Sequence, residues 1–510
     1  MEIVQAGKKR FASNVFFNIV SLGVSIVLNL WMTPYLIHHL GIGVYGLIPL
    51  ALSVTTYMSI FTQGIHNAAG RFLTIDLVQE NHESAKITFN TTLWGILGVL
   101  VFVTFLVIGL SWISPSVFDV PQGQELQTRI LFLCIGTSFM LGVLSSVISL
   151  PTYSYNRFDL RQLVTILNLL TRAGLLVVMF AVWGPKLGYF GLSSLLAGML
   201  AFICDIYILR RLAPNLQLGW RYFNFSVFRD LFGMGGWIIL NQIGALLFVN
   251  IDLIVVNTVF GAVAGGKYGS ILLFSTLLRN LASTVSGVIG PIVVGEYAHG
   301  NITGMVRLSK QAVKLMGVGL ALPIGLLCGL AKPVLLIWLG ADFQEMASLM
   351  VVLLGHLCVN LAIQPLLSLN SATNHVRRPG LVTLGLGVAN FLLAMSWARW
   401  GGWGVVGVAA AGAIVLTLKN FVFTPIYAAW ILGQPWHTFY SSMIVGIMAT
   451  LSIGFVSYGL AQMYTLTSWG SLFLAVGAIS LVYGIGIFFL GLNKADRQLV
   501  NRFLPRERLI

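Results

Sequence analysis

Apolar stretches of about 20 residues, separated by short polar segments, recur along the whole chain. A helix needs about 20 mostly apolar residues to cross the hydrocarbon core of a bilayer, so each stretch predicts one membrane span. The pattern therefore predicts an all-α integral membrane protein with about 14 transmembrane helices. Their approximate positions are residues 14–36, 42–62, 89–112, 130–150, 163–183, 188–209, 231–258, 268–292, 311–331, 347–369, 381–399, 404–428, 439–461 and 469–490.

Composition and charge support a membrane protein and set its orientation. The 510 residues are 57% hydrophobic and only 9% charged, which is too few polar groups to cover soluble domains of that size. The net charge of +14 is spread over short loops, so it indicates orientation rather than nucleic-acid binding. Most Lys and Arg residues fall on the side of the amino terminus, and the positive-inside rule predicts that both termini are cytoplasmic.

An internal repeat predicts two lobes of similar build. A shift of 223 residues aligns Asn18 with Asn241, Asn29 with Asp252, Tyr45-Gly46 with Tyr268-Gly269 and Gly64 with Gly287. Parallel halves around a central cavity are a transporter architecture. We expect an amino-terminal six-helix lobe (1–212), a cytoplasmic interfacial linker (213–230), a pseudo-symmetric six-helix lobe (231–431), two extra carboxy-terminal helices (432–492) and a basic cytoplasmic tail (493–510).

Polar side chains inside the predicted spans form stripes along helix faces. Such stripes indicate the faces that meet water or substrate, although for a single Ser or Asn a hydrogen bond between helices is the more common role. The uncharged candidates for substrate binding are Asn18, Asn29, Gln63, Asn168 and Asn241.

Cations outnumber acids in the middle of the predicted spans. Arg172 and Arg279 lie near mid-span, where a lone cation costs from about 2.5 to more than 10 kcal/mol. Each therefore needs a carboxylate, a water-filled cavity or an anionic ligand, and Asp252 is the only central acidic candidate. This excess predicts an anionic ligand. Lys419, nearer the inner end of its span, either faces the cavity or snorkels to the interface.

Two titratable residues are candidates for coupling transport to an ion gradient. Protonation of Asp252 would remove its buried charge, although a permanent ion pair is an equal alternative. His356, with an unperturbed pKa near 6.5, could carry a proton, but a packed hydrogen-bonding role is favoured for a lone histidine in a membrane. We expect no cofactor and no metal site, with proton or sodium coupling left open, because the four cysteines lie in separate apolar runs.

The motifs of common enzymes are missing or incomplete. Gly261, Gly266 and Lys267 match most of a phosphate-binding loop, yet Tyr268 replaces the Ser or Thr that would hold magnesium. No predicted outer loop exceeds about 20 residues. We therefore expect a protein that is not an enzyme and has no catalytic residues.

The chain resembles the bacterial polysaccharide flippase family, part of the multidrug, oligosaccharidyl-lipid and polysaccharide exporter superfamily. The resemblance is carried by Asn18, by the run Pro34–Gly46, by Arg71-Phe72 and by Ile251-Asp252 followed by Tyr268-Gly269. It implies alternating access on undecaprenyl-pyrophosphate-linked oligosaccharides in the inner membrane, for lipopolysaccharide or exopolysaccharide. Its implied partners are the lipid-linked substrate, membrane lipids, and polymerase and chain-length proteins. Cavity arginines would then bind the pyrophosphate.

Two alternatives remain at this point. A multidrug or cation antiporter of the same superfamily should carry an excess of carboxylates in its cavity, and the charge balance here is the opposite. A membrane glycosyltransferase, polymerase or ligase acting on the same lipid-linked sugars typically needs a sizeable outer loop for its catalytic residues, and none is predicted.

Overall fold

The computed structural model describes the backbone of residues 2–79, 81–298, 300–373, 375–487 and 489. The description excludes side chains at residues 2–12, 15, 63, 67, 71, 78, 232–241, 249, 288–292, 294, 295, 298 and 371. The predicted basic tail, 493–510, therefore lies outside the described residues, as do the side chains of Gln63 and Asn241.

The described chain consists of helices joined by short turns, with no β-strand in these residues. The first part contains α1 (Glu2–Leu40), α2 (Ile42–Tyr45), α3 (Leu47–Met58), α4 (Ile60–Val78), α5 (His82–Val117), α6 (Glu125–Ile148), α7 (Leu150–Ser154), α8 (Phe158–Trp183), α9 (Gly188–Leu212) and a 3-10 turn (Trp220–Tyr222). Helices α10 (Phe225–Val249), α11 (Ile251–Ala298), α12 (Ile302–Gly329), α13 (Ala331–Leu339), a 3-10 turn (Ala341–Met346), α14 (Ala347–Gly355), α15 (Leu357–Asn360) and α16 (Gln364–Ala372) follow. The last are α17 (Arg377–Trp400), α18 (Gly404–Leu418), a π-helix (Lys419–Phe423), α19 (Thr424–Ile431), α20 (Tyr440–Met463) and α21 (Trp469–Gly486).

The prediction of an all-α membrane protein is confirmed. Thirteen helical stretches in the described residues have the length and apolar composition needed to cross a bilayer. The predicted seventh span, 231–258, is divided between α10 and α11, and the side chains of residues 232–241 are outside the description. α11 itself continues through a sharp bend at Gly261, whose φ of 88° is a conformation that favours glycine.

Contacts divide the described chain into two compact units. The first contains residues 1–246 and 256–266, and the second contains residues 247–255 and 267–510. The helix-free connection between α9 and α10 runs over residues 213–224, apart from the single 3-10 turn.

Small residues bring the helices of each unit close together. In the first unit, a Cβ added to Gly136 of α6 would lie 2.5 Å from a methyl carbon of Val107 on α5. In the second, a Cβ added to Gly446 of α20 would lie 2.7 Å from the Cα of Gly317 on α12. Packing of this kind replaces the hydrophobic driving force that is weak between helices in lipid.

Several predicted spans are interrupted in the structure, among them the tenth and the twelfth. The tenth, 347–369, is divided into α14, α15 and α16, with turns at His356 and at residues 361–363. His356, Asn360, Gln364 and Ser368 follow helical spacing in the sequence, but they are therefore not on one continuous helix. The twelfth, 404–428, contains the π-helix that begins at Lys419. Such irregular backbone inside a membrane is tolerated where protein buries it or where it lines a cavity.

Candidate functional site

A small cavity in the second unit brings three of the predicted charged or titratable residues together. Asp252, Arg279 and His356 line it, with Ser275 and Thr276, and its volume is ≈ 20 Å³. Phe248, Leu353 and Leu416 are among the apolar residues of its wall. The space suffices for one water molecule with several polar neighbours. We call it the Asp252–Arg279 cavity.

The bend in α11 explains how Asp252 and Arg279 meet. Asp252 precedes Gly261 and Arg279 follows it, so one long segment supplies both side chains from opposite sides of the bend. The other walls come from the end of α14 and from α18. Sequence spacing alone gave no reason to place these two residues in one cavity.

Asp252 is buried and only partly satisfied by hydrogen bonds. The Tyr268 hydroxyl donates to its Oδ2 over 3.2 Å. Its Oδ1 has no hydrogen-bond partner among the described residues, and neither does the side-chain oxygen of Asn390, whose amide nitrogen donates to the carbonyl of Leu247 over 2.9 Å.

Gly412 leaves space beside these two side chains. A Cβ added there would lie 3.0 Å from Asp252 Oδ2 and 3.6 Å from Asn390 Oδ1. Asp252 Oδ2 accepts from Tyr268, whereas Asp252 Oδ1 and Asn390 Oδ1 have no donor among the described residues. A buried oxygen without a donor is costly, so each of these two favours a proton, a cation or a donor group.

Arg279 contacts its own helix rather than an acid. Its Nε donates to the hydroxyl of Ser275 over 3.3 Å. Among the described side chains, no carboxylate oxygen lies within 4.0 Å of its guanidinium nitrogens, although Asp252 lines the same cavity. The guanidinium therefore retains donors for an anion or for water.

His356 begins a chain of hydrogen bonds that crosses both irregular segments. The Asn360 side-chain amide donates to His356 Nδ1 over 2.6 Å and also contacts the Thr417 hydroxyl over 3.2 Å. Asn420 donates to Asn360 Oδ1 over 2.9 Å, and Thr424 donates to Asn420 Oδ1 over 3.2 Å. This network occupies the polar groups of the interrupted helices.

Lys419 is the first residue of the π-helix and lies well inside the stretch Gly404–Ile431. Its Nζ lies 6.0 Å from the ring centroid of Phe248, which also lines the Asp252–Arg279 cavity. The cation–π distance is at the outer limit of such contacts. Lys419 is thus adjacent to the cavity wall rather than among the residues that line it.

Arg172 lies in the first unit, on α8. Its guanidinium carbon lies 5.6 Å from the ring centroid of Phe190, and its buried Nε has no hydrogen-bond partner in the described part of the chain. No described carboxylate lies within 4.0 Å of it. Arg161, eleven positions earlier, differs, because its Nη1 contacts Asp205 Oδ2 at 2.8 Å.

The predicted asparagines of the first unit take part mainly in local or interhelical hydrogen bonds. Asn18 donates to the Asn14 carbonyl over 2.8 Å and accepts from Gln162 of α8 over 2.9 Å. Asn29 donates to the Ser25 carbonyl over 2.7 Å, within α1. Asn168 is half-buried one helical turn before Arg172. Asn18 therefore links α1 to α8, whereas the hydrogen bonds of Asn29 lie within α1.

The structure groups Asp252, Arg279 and His356, with Lys419 nearby, and leaves Arg172, Asn18, Asn29 and Asn168 in the other unit. Sequence reasoning missed Tyr268 and Asn390 as neighbours of Asp252. The signal for Tyr268 was its place in the Tyr-Gly repeat, and that for Asn390 was a single amide in an apolar span.

The described helices share the fold of solved multi-pass membrane transporters. The chain is similar to the solved structure of the lipid II flippase MurJ in an inward closed conformation. That match has a TM-score of 0.62 and 14% identity, and it covers 95% of this chain and all of that one. An inward-facing multidrug resistance MATE transporter of the MOP superfamily matches with a TM-score of 0.62 and 16% identity, over 81% of this chain and 98% of that chain.

Sequence comparison then identifies the family. The model of the polysaccharide biosynthesis protein family matches residues 11–296. The membrane protein EpsK of Bacillus subtilis (strain 168) is 32% identical over 491 residues, which is 96% of this chain and 97% of that protein. The chain therefore belongs to the polysaccharide biosynthesis protein family, and the predicted resemblance is confirmed.

Proposed function

We propose that the protein is a flippase that moves undecaprenyl-pyrophosphate-linked oligosaccharide repeat units from the cytoplasmic to the outer leaflet by alternating access. Its family and its flippase-like fold support a lipid-linked saccharide as the substrate class. In this proposal the head group enters between helices while the prenyl chain stays in lipid. Arg172 and Arg279 hold the pyrophosphate at different stages of the cycle.

The observation that carries this proposal is the pair of arginines without acidic partners. Arg161 is matched by Asp205, whereas Arg172 and Arg279 have no carboxylate within 4.0 Å among the described side chains. A guanidinium in a membrane span must be compensated, and a diphosphate offers charge-assisted, bidentate acceptors. Ser275 and Thr276 beside Arg279 are additional donors for phosphate or sugar oxygens.

The membrane potential favours the proposed direction. Each negative charge moved outward from a cell that is negative inside gains about 2.3 kcal/mol per 100 mV. The net charge of the pyrophosphate bound to a cation-rich site would set how much of this free energy is available.

We also propose that Asp252 couples transport to a proton or sodium gradient. Asp252 Oδ1 and Asn390 Oδ1 accept no hydrogen bond from the described residues, so they favour a proton or a small cation as a partner. Binding there would change the electrostatic attraction between Asp252 and Arg279, and with it the affinity of Arg279 for an anion.

The cellular setting belongs to the same proposal. The protein would lie in the bacterial inner membrane with both termini in the cytoplasm. There it would receive completed repeat units from cytoplasmic enzymes and deliver them to polymerase and chain-length proteins outside.

Reconstituted transport is the direct test. Purified protein in liposomes should move a fluorescent lipid-linked pyrophosphoryl oligosaccharide, and Arg279→Ala or Arg172→Ala should reduce the rate by about 100-fold, the usual cost of removing one partner of a charge-assisted pair. Arg399→Ala is the matched control, because Arg399 is an exposed arginine at the end of α17. Movement of cationic dyes in place of the lipid-linked sugar would reject the proposal in favour of drug efflux.

A further inference from the structure

A second cavity is lined by residues of the first unit, among them three that carry hydroxyl groups. Its volume is ≈ 350 Å³, within the range of small-molecule sites. α4 and the residue before it contribute Ser59, Thr62 and His66, and α6 contributes Phe139, Gly142, Val143 and Ser146. On each element these positions follow helical spacing, so one face of each helix forms the wall. We call it the hydroxyl cavity.

Each of the three hydroxyl groups of this cavity donates its hydrogen to a backbone carbonyl of its own helix or of the preceding turn. Ser59 donates to the Thr56 carbonyl over 2.7 Å, Ser146 donates to the Val143 carbonyl over 2.7 Å, and Thr62 donates to the Ser59 carbonyl over 3.3 Å. A hydroxyl oxygen that donates once keeps lone pairs that can accept. The three oxygens therefore offer acceptors to a ligand.

His66 adds one more acceptor by the same reasoning. Its Nδ1 lies 3.3 Å from Ser146 Oγ, whose hydrogen is directed to a carbonyl. Nδ1 must then carry the hydrogen and donate to Ser146, which leaves a lone pair on Nε2 of the neutral ring.

The charge and shape of the hydroxyl cavity select its ligand. No Lys, Arg, Asp or Glu is among its described lining residues, so it lacks the groups that a pyrophosphate requires. Neutral acceptors on both helices, together with the apolar surfaces of Phe139 and Val143 on α6, suit a ligand rich in hydroxyl donors with an apolar face. A sugar ring has this chemistry.

The backbone supports a binding role for this wall. Between α3 and α4 the helix tightens at Ser59, where the Ser59 amide donates to the Thr56 carbonyl and the Thr62 amide donates to the Ser59 carbonyl, both over 3.1 Å. Such i to i+3 bonds mark an interruption of the α-helix, and interruptions within a membrane occur where the backbone is buried in protein or lines a cavity.

We propose that the hydroxyl cavity binds one sugar ring of the transported repeat unit, separately from the arginines that bind the pyrophosphate. This inference rests on the proposed function for the identity of the natural ligand. The cavity itself assigns the ligand class, a neutral carbohydrate. Recognition of sugar and of diphosphate would then be divided between different residues of the chain.

Filling the cavity tests the inference with a matched control. A Cβ added to Gly142 meets no atom within 4 Å, so Gly142→Leu places a side chain in the cavity without a backbone clash. Gly109→Leu is the control, because Gly109 of α5 is exposed and equally free of contacts. Binding of methyl N-acetyl-β-glucosaminide and methyl β-galactoside to purified full-length protein should weaken at least about 10-fold in Gly142→Leu, the equivalent of two lost hydrogen bonds. It should be unchanged in Gly109→Leu.

Further measurements separate this inference from the proposed function. Inorganic pyrophosphate should bind Gly142→Leu as it binds the wild type, which also shows that the variant is folded. Thr62→Val, which removes one acceptor at nearly constant volume, should weaken glycoside binding in the same direction. Glycoside binding that is equal in Gly142→Leu and the wild type, or absent from the wild type, overturns the sugar site. Failure of wild-type protein to move lipid-linked oligosaccharide, with glycoside binding intact and sensitive to Gly142→Leu, overturns only the proposed flippase.

Discussion

Two polar regions of the molecule differ in whether their acid and their cation are paired with each other. In the first unit a polar seam joins α1, α8 and α9 through Asn18 with Gln162 and Arg161 with Asp205. In the second unit the Asp252–Arg279 cavity contains an acid and a cation that are not within 4.0 Å of each other. One oxygen of each carboxylate, Asp205 Oδ1 and Asp252 Oδ1, has no described partner, so the difference lies in the ion pair.

The difference separates groups that hold helices together from groups that are available to ions and substrates. Paired polar groups between helices contribute modest stability in membranes. An unpaired charged group inside a membrane costs several kcal/mol of free energy, and such groups commonly mark the pathway of an ion or a substrate. The sequence repeat aligns Asn29 with Asp252, so these two residues can be compared directly. Asn29 donates to its own helix, whereas Asp252 faces the Asp252–Arg279 cavity.

The largest expected effect is therefore on transport, at Asp252. Asp252→Ala should lower gradient-driven transport by about 100-fold, near the upper end of typical coupling free energies, because it removes the only acid among the described residues of that cavity. Asn29→Ala, at the position that the sequence repeat aligns with Asp252, should change the rate less than about 3-fold. The measurement is uptake into proteoliposomes with and without an imposed proton or sodium gradient. Equal losses in the two variants would remove the distinction between the regions.

A smaller effect is expected on stability, at the ion pair of the polar seam. The Asp205 side chain is 1% exposed and that of Arg161 is 34% exposed. Arg161→Ala should therefore leave a buried carboxylate unpaired and destabilise the protein by about 2 kcal/mol, below the range for fully buried pairs because the arginine is partly solvated. Thermal unfolding in detergent measures this, and Arg161→Ala/Asp205→Ala should recover part of the loss. A double variant no more stable than the single one would contradict the pairing.

The smallest effect is expected at Asn18. Asn18→Ala removes the acceptor for Gln162, so it should lower stability by about 0.6 kcal/mol, the average for such hydrogen bonds in membrane proteins, and leave transport at the wild-type rate. Gln162→Ala should have the same effect, measured by thermal unfolding and liposome transport side by side. A transport defect in Asn18→Ala with normal stability would assign Asn18 to the substrate instead.

The sequence predicted the helical membrane fold because apolar segments of spanning length are a strong signal. It also identified Arg172, Arg279 and Asp252 as unusual, since charge is rare in such segments. It could not show which polar residues face another helix. The stripe that contains Asn18 has the same spacing whether Asn18 accepts a hydrogen bond from Gln162 or from a substrate. The contact of Asp252 with Tyr268 depends on the bend at Gly261, and the nearby oxygen of Asn390 is far away in sequence.

The hydroxyl cavity was not predicted, for a related reason. Serine and threonine are common in membrane helices, and their hydrogens usually return to the preceding turn. Ser59, Thr62 and Ser146 donate to backbone carbonyls in the same way, so their local sequence does not distinguish them from other serines and threonines in membrane helices. Only the placement of α4 opposite α6 collects their remaining lone pairs in one space.

The π-helix at Lys419–Phe423 accommodates one surplus residue relative to regular helix geometry. Deleting a single residue from this segment would restore ordinary winding while the residues beyond Thr424 keep nearly the same orientation around the helix axis. The change would fall inside the segment, on the geometry of the hydrogen bonds that join Thr424, Asn420 and Asn360. Insertions and deletions of one residue at this place are thus a simple evolutionary route for re-aiming side chains in the middle of a span while both of its ends stay fixed.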